Sequence, residues 1–260
     1  MAIKNAIISY NKVVCPTTKE VARVLKVNDI NFRILDREFI REKDTEGIDL
    51  VITIGGDGTF LTISHYVSGN TKILAVNASP RTTVGFYTRA NRNNFKTKFK
   101  NILDGNFKTR DFIRIRSEVN GRQMIHNATN EVYFGHNRPH GTARYILKIE
   151  NKKEFQVSSG LIVATPQGSY GWASSTGIKP LNLNSKKLVF VIREPISNNL
   201  FNPKIRKGTI NLNQKVKILC KRGNAMIGID GFGEEEMNVE DGDIVTIHAA
   251  KERLKFIDKC

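Results

Sequence analysis

Through the first hundred residues, short apolar runs alternate with segments of helical spacing. Ala6-Ile7-Ile8 opens as a strand. From Thr18 to Lys26, Val21, Val24 and Leu25 fall on one helical face, with Thr17 or Thr18 offering an N-cap. Phe32 to Leu35 reads as a second strand. Leu50-Val51-Ile52-Thr53-Ile54 is an unbroken run rich in β-branched residues, as expected of a strand covered on both faces, and Ile73-Leu74-Ala75-Val76 is another. Between them Phe60, Ile63 and Val67 sit at helical spacing. Strands alternating with helices at this pitch predict a parallel α/β sheet.

The pattern changes after about residue 108. Phe112 to Arg116, Ile146 to Ile149, Gly160 to Ala164, Leu188 to Ile192, Lys215 to Leu219, Met226 to Ile229 and Ile244 to His248 are short apolar runs separated by turn residues, with few helical periods. They predict an all-β, β-sandwich-like domain. The boundary is placed near Leu103-Asp104-Gly105-Asn106, where a helix rich in Asn and Lys meets a glycine. The organisation expected is therefore an α/β nucleotide-binding domain over residues 1–107 and a β-rich domain over 108–260, with the final residues free to return to the first domain.

Composition narrows the class of protein. The 260 residues are 40% hydrophobic, enough for real cores, and seven Pro and twenty Gly exclude collagenous and low-complexity chains. No apolar run approaches the length of a membrane span, and the opening Met-Ala-Ile-Lys-Asn lacks the pattern of a secretory signal, so a soluble, cytoplasmic protein is expected. Cys15, Cys220 and Cys260 are too widely spaced for a disulfide framework or a zinc site. His136 and His140 stand four apart, but Pro139 argues against one helix carrying both. Glu234-Glu235-Glu236 reads as a solvated turn. The net charge of +16 is regional: residues 108–230 hold 21 Lys and Arg against 7 Asp and Glu, whereas 231–260 hold 4 against 8. Such a surface attracts polyanions as a class. No zinc-finger, helix-turn-helix or RNP signature accompanies it, so nucleic acid is not the partner expected.

The candidate chemistry begins at Gly55-Gly56-Asp57-Gly58-Thr59, directly after one buried strand and directly before a helix. Glycines at the carboxyl end of a parallel strand let the backbone turn sharply and let phosphate oxygens approach its N–H groups. Thr59 is placed to cap the helix and to donate to the same phosphate. Asp57 is the odd member, because a carboxylate repels a phosphate unless it binds a metal ion or takes a proton from a nucleophile. The alternative reading is a tight strand-to-helix turn with Asp57 as an ordinary cap.

This loop resembles one shared by NAD kinases, diacylglycerol and sphingosine kinases and, in shorter form, phosphofructokinases. Further matches in family order select among them. Asn130-Glu131 is similar to the pair with which NAD kinases hold the ribose hydroxyls and the adenine of the dinucleotide. Ser158 to Trp172, containing Thr165-Pro166-Gln167-Gly168-Ser169, resembles the family's strand and Thr-Pro-x-Gly-Ser turn, with Trp172 and Ser175 lining the dinucleotide pocket. Outside this motif, Trp172 would read as core packing. Gly85-Phe86-Tyr87 resembles the turn whose Phe packs on adenine, Asp230-Gly231 a late β-turn, and Asp241-Gly242-Asp243 the closing hairpin. Asn77-Ala78-Ser79-Pro80-Arg81, Ser158-Ser159-Gly160 and Arg193-Glu194-Pro195-Ile196 are closest in pattern to the animal mitochondrial NAD kinase and plant NADH kinase branch. Two departures stand out: Ser159 replaces an Asp, and Tyr170-Gly171-Trp172 replaces Thr-Ala-Tyr.

The resemblance implies transfer of a phosphoryl group from ATP or polyphosphate to the 2′-hydroxyl of the adenosine ribose of NAD or NADH, with Mg²⁺ and an active site in the cleft between two domains. It assigns Asp57 to catalysis, directly or through the metal, and Gly55, Gly56, Gly58 and Thr59 to the donor phosphates. Phe86, Asn130, Glu131, Ser169, Gly171, Trp172, Ser175 and Asp230 fall to the dinucleotide. It also implies a homodimer or homotetramer. The alternatives are a lipid kinase sharing the glycine loop and a polyanion-binding protein without catalysis.

Overall fold

The computed structural model describes residues 3–199, 201–233 and 235–260. They divide into two compact units, Met1–Phe112 with Glu252–Cys260, and Ile113–Lys251. In chain order the first unit holds β1 (Asn5–Tyr10), α1 (Pro16–Val27), β2 (Asn31–Asp36), α2 (Glu42–Thr45), β3 (Leu50–Gly55), α3 (Asp57–Ser64), β4 (Lys72–Asn77), β5 (Ala90–Asn91) and α4 (Phe95–Leu103). The chain then passes along β6 (Lys108–Val119) into β7 (Arg122–Gln123), β8 (Glu131–His136), β9 (Ala143–Ile149), β10 (Lys152–Ser158) and β11 (Gly160–Ala164). Two short 3₁₀ turns follow, Gly168–Tyr170 and Trp172–Thr176. After them come β12 (Lys187–Arg193), β13 (Lys207–Asn211), β14 (Lys215–Cys220), β15 (Ala225–Ile229), β16 (Glu236–Val239) and β17 (Ile244–Lys259).

The first unit is built on a parallel sheet in the order β2-β1-β3-β4, with the Lys255–Phe256 stretch of β17 alongside β4. Leu50, Val51, Ile52 and Ile54 of β3 and Ile73, Leu74 and Val76 of β4 are buried, as continuous apolar runs require. Strand order reverses between β1 and β3, which opens a crevice at the carboxyl ends of the strands, the position where open α/β sheets take ligands. Helix α1 begins at Cys15, in extended conformation with Pro16 as the first helical residue. The two threonines expected as caps instead lie buried in the first turn. Proline fits there because its missing N–H belongs to a group that has no intrahelical partner anyway. Val67, expected on the next helix, lies beyond the end of α3.

A second cluster in this unit joins rings and charges. Tyr87 stacks on Phe60 at 4.1 Å and Phe112 on Phe256 at 4.7 Å, while the Arg89 guanidinium lies 4.8 Å above the Phe256 ring. Asp258 accepts from Arg89 on Oδ1 at 3.0 Å and from Arg110 on Oδ2 at 2.8 Å. Burial alone would raise the Asp258 pKa, but the hydrogen bonds and charges of Arg110 and Arg89 outweigh it and hold the carboxyl below its ordinary value. A carboxylate depressed in the folded state stabilises above its unfolded pKa and loses that contribution as pH falls through the folded one. Asp258→Asn is therefore expected to lower stability at pH 7 by about 2 kcal/mol, with the gap to wild type closing as the pH is taken toward 3. Urea unfolding across that range measures it, and parallel curves would exclude Asp258 as a stabilising charge.

The second unit is antiparallel. Strands β13-β12-β11-β8-β15-β16 form one sheet, and β10-β9-β14 with the Ile244–His248 stretch of β17 form the other. Alternating burial along β9 and β14 shows one face turned inward, where Tyr145, Leu147, Val216 and Ile218 meet Val132, Phe134, Leu161 and Val163 of the opposite sheet in one core. The α/β and β-sandwich-like classes read from the sequence are those observed. Strands β10, β13 and β16 were not expected, and β17 runs well past the His248 at which it was expected to stop. Of the three consecutive glutamates, Glu234 lies outside the described residues. Glu235 is buried and accepts the His126 N–H at 3.0 Å, so at that residue the solvated turn is replaced by a tie to the loop between β7 and β8.

Candidate active site

In the first unit the glycine loop closes β3 and opens α3. Gly56 stands at the N-cap in extended conformation and Asp57 is the first helical residue, so Thr59 does not cap the helix. Thr59 is instead buried in the first turn, its side chain packed against Gly55. The Asp57 carboxylate reaches across to the turn at residues 85–87, where Oδ2 accepts the Phe86 N–H at 2.8 Å and Oδ1 the Tyr87 N–H at 3.0 Å. This clamp joins two of the motifs. Phe86 is half-buried, with its ring edge-on to Tyr87 at 4.9 Å.

Beside the loop lies a cavity of about 330 Å³ lined by Asn11, Val13, Cys15, Ile54, Gly55, Gly56, Thr59, Ala78, Ser79 and Thr83. Its walls follow β1, β3 and β4, so it occupies the crevice at the strand-order reversal. Asn77, buried at the end of β4, shapes one wall: its Oδ1 accepts from Ser79 N at 2.8 Å and from Thr83 Oγ1 at 3.1 Å, and its Nδ2 donates to Thr83 O at 2.9 Å. Asn11 and Thr83 were not singled out by the sequence. Cys15 belongs to the cavity because it sits at the start of α1.

In the second unit Asn130 and Glu131 stand at the start of β8. The turn after β11 packs on their backbone: Thr165 N donates to Asn130 O at 2.8 Å, Thr165 Oγ1 to Thr129 O at 2.8 Å, and Gln167 Nε2 to Thr129 O at 2.8 Å. Gly168 lies so close to the Asn130 backbone that a Cβ would overlap it. The Asp230 carboxylate accepts the N–H groups of Thr129, Asn130 and Glu131. Glu131 is only 6% exposed, and its Oε2 is buried without a hydrogen-bond partner. Burial, with the nearby Asp230 charge second, pushes its pKa up to about 8.

A family model described as ATP-NAD kinase N-terminal domain matches residues 14–107, the stretch carrying the glycine loop and the 85–87 turn. A probable NADH kinase of Oryza sativa subsp. japonica is 29% identical over 231 residues, covering 81% of this chain and 71% of the relative. An NAD kinase of Fusobacterium nucleatum is 28% identical over 247 residues, covering 92% and 85%.

Along most of its length the chain is similar to NAD kinases.

Solved structures of the family share its fold. The NAD kinase from Archaeoglobus fulgidus in complex with ATP superposes with a TM-score of 0.81 at 22% identity, covering 98% of this chain and 93% of that one. Yeast NADH kinase complexed with NADH gives 0.84 at 15% identity, covering 100% and 84%.

Against the family's motifs, the expected dinucleotide residues fall into two groups. Asn130, Glu131, Gly171 and Asp230 gather around the start of β8; a Cβ on Gly171 would lie 3.3 Å from Asn130 Nδ2. Ser169 is fully buried, its hydroxyl donating to Pro166 O at 2.6 Å and accepting from Leu181 N at 2.8 Å. Its proton is spent holding the turn. The exposed Ser175 donates to Trp172 O at 2.8 Å within its own turn. Trp172 is 39% exposed, 5.1 Å from the Tyr133 ring and beneath the Arg193 guanidinium at 4.9 Å. Tyr133 was not singled out by the sequence, and Arg193 only within a branch-specific stretch. At the Ser159 departure, the backbone carbonyl accepts from Tyr133 Oη at 2.7 Å.

Proposed function

We propose that this chain transfers the terminal phosphoryl group of ATP to the 2′-hydroxyl of the adenosine ribose of NAD or NADH, through the residues described above. The observation that carries the assignment of residues is the glycine loop opening α3 beside a cavity at the strand-order reversal. N–H groups at a helix start favour phosphate oxygens, and phosphoryl transfer asks the protein chiefly for positioning and charge stabilisation. Gly55, Gly56, Gly58 and Thr59 are the donor-phosphate residues in this reading. Asp57 keeps further lone pairs on both oxygens beyond those given to Phe86 and Tyr87. It is thus able to accept the proton of the attacking hydroxyl or to orient a cation. Asn130 and Glu131 take the hydroxyl and base contacts of the dinucleotide.

Among the described residues, no three His, Cys, Asp or Glu side chains come together as a metal cage. The residues therefore fit a Mg²⁺ that arrives on the donor's phosphates and takes few protein oxygens, which is the usual habit of that ion. Asp57 is the loop carboxylate that would supply one. Mg²⁺, a homodimer or homotetramer and a cytoplasmic location are parts of the proposal supported by family resemblance. No helix among the described residues is long and apolar enough to cross a membrane.

The purified chain, given Mg²⁺ with ATP or polyphosphate as donor and NAD or NADH as acceptor, is expected to form NADP or NADPH, read through an NADP-specific dehydrogenase. The fastest pairing assigns donor and oxidation state. Absence of product in all four pairings would overturn the reading.

A further inference from the structure

Asp230 gathers three consecutive backbone donors. Its Oδ2 accepts Thr129 N at 2.6 Å, while Oδ1 accepts Asn130 N at 2.7 Å and Glu131 N at 2.9 Å. Asp230 N in turn donates to Glu131 O at 3.0 Å. The residue holds φ at +51°, a left-handed conformation that few side chains other than Asn and Asp adopt readily. A few residues on, the buried Glu235 accepts His126 N, so the turn after β15 grips the 126–131 segment at two points. Hydrogen bonds to a carboxylate are among the stronger ones, and here they fall on peptide groups rather than on side chains.

Resting on the function proposed above, we infer that Asp230 is a positioning residue for the dinucleotide: it fixes the Asn130–Glu131 backbone so that both side chains are presented in one geometry. Its work is done through those peptide groups, which gives it a different part from the direct ligand contact that family resemblance implies. The N–H groups of Thr129 and Glu131 need an acceptor because both residues are buried, and a buried donor left unpaired is costly. Side-chain function at Asn130 and Glu131 then depends on a residue about a hundred positions later in the chain.

Two variants test this. Asp230→Asn suits the same φ and keeps one acceptor, whereas Asp230→Gly suits the φ and keeps none. Dinucleotide binding is read by the fluorescence of Trp172, the only tryptophan, and steady-state kinetics are read in parallel. The expected result is a rise in dinucleotide KM of about 10-fold for Asn and about 100-fold for Gly, with the ATP KM held within about threefold and kcat falling less than the dinucleotide affinity. A merely structural role would move both KM values together, and that outcome overturns the inference. So does an Asp230→Asn chain that binds dinucleotide as tightly as a wild type that binds it. A wild type that binds no dinucleotide at all overturns the proposed function, and the inference with it.

Discussion

Asp57→Asn is expected to lower turnover by roughly 10³-fold, within the range that a positioned proton acceptor supplies, while leaving dinucleotide affinity within a few-fold of wild type. The size of the effect follows from what the amide loses, namely a full negative charge and the ability to take a proton. A smaller structural loss comes with it. Asp57 accepts from both Phe86 N and Tyr87 N, and an amide can accept from only one of them while turning its own NH₂ toward the other. That mismatch costs about 1–3 kcal/mol and is visible as a lower midpoint in urea. Steady-state kinetics separate the two. Loss of chemistry lowers kcat with both KM values nearly kept, whereas displacement of the glycine loop raises the ATP KM. Turnover within tenfold of wild type would remove Asp57 from the chemical step and leave it as the clamp on the 85–87 turn.

Glu131→Gln is expected to change how stability depends on pH. The carboxyl is buried, with one oxygen unpartnered, and its pKa is pushed up to about 8 from the ordinary 4.5. Between those two values the folded chain holds a proton that the unfolded chain has released. Stability therefore falls as pH rises through this window and levels off above it. At about 1.4 kcal/mol per pKa unit the total is on the order of 5 kcal/mol, an upper figure for one buried group. Gln resembles the protonated carboxyl in shape and does not titrate. The variant should match wild type near pH 5 and exceed it in stability at pH 8.5, by an amount that urea unfolding at the two pH values reads directly. Parallel pH profiles for the two proteins would show that Glu131 is ionised in the folded state at neutral pH. Because the nearby Asp230 charge contributes to the shift, burial leads and electrostatics follow in setting this slope.

The positive surplus takes on a more limited role in this light. It divides evenly between the two units, and the residues that family resemblance assigns to the dinucleotide in the second, Asn130, Glu131, Ser169, Gly171, Trp172, Ser175 and Asp230, include no Lys or Arg. Arg193 is stacked on Trp172.

Legibility followed the range of the interactions. The central strands β3, β4, β11 and β12 were readable because burial on both faces writes itself as an uninterrupted apolar run. Strands β10, β13 and β16 were not, and each lies at the edge of its sheet. Edge strands carry lysines and polar residues that guard against further pairing, so Lys152-Lys153-Glu154 and Lys207-Gly208-Thr209 look like loop in one dimension. The caps failed for a related reason. Thr17, Thr18 and Thr59 have the right chemistry for an N-cap, but Pro16 and Gly56 fix the helix starts earlier and place the threonines inside the first turn.

The glycine loop, the α/β-then-β order and the motifs that mark the family are local facts, and the sequence by itself determined them, since short stretches with fixed spacing dictate turns, strands and helix starts. Tertiary structure alone decided where the hydrogen-bonding capacity of the side chains is spent. Asp57 finds its donors 29 and 30 residues away, Asp230 finds its own about 100 residues away, and the Ser169 hydroxyl is consumed by Pro166 and Leu181. A carboxylate or hydroxyl has the same letter whether it faces a ligand or a peptide group. Only the register and closure of distant segments select between them.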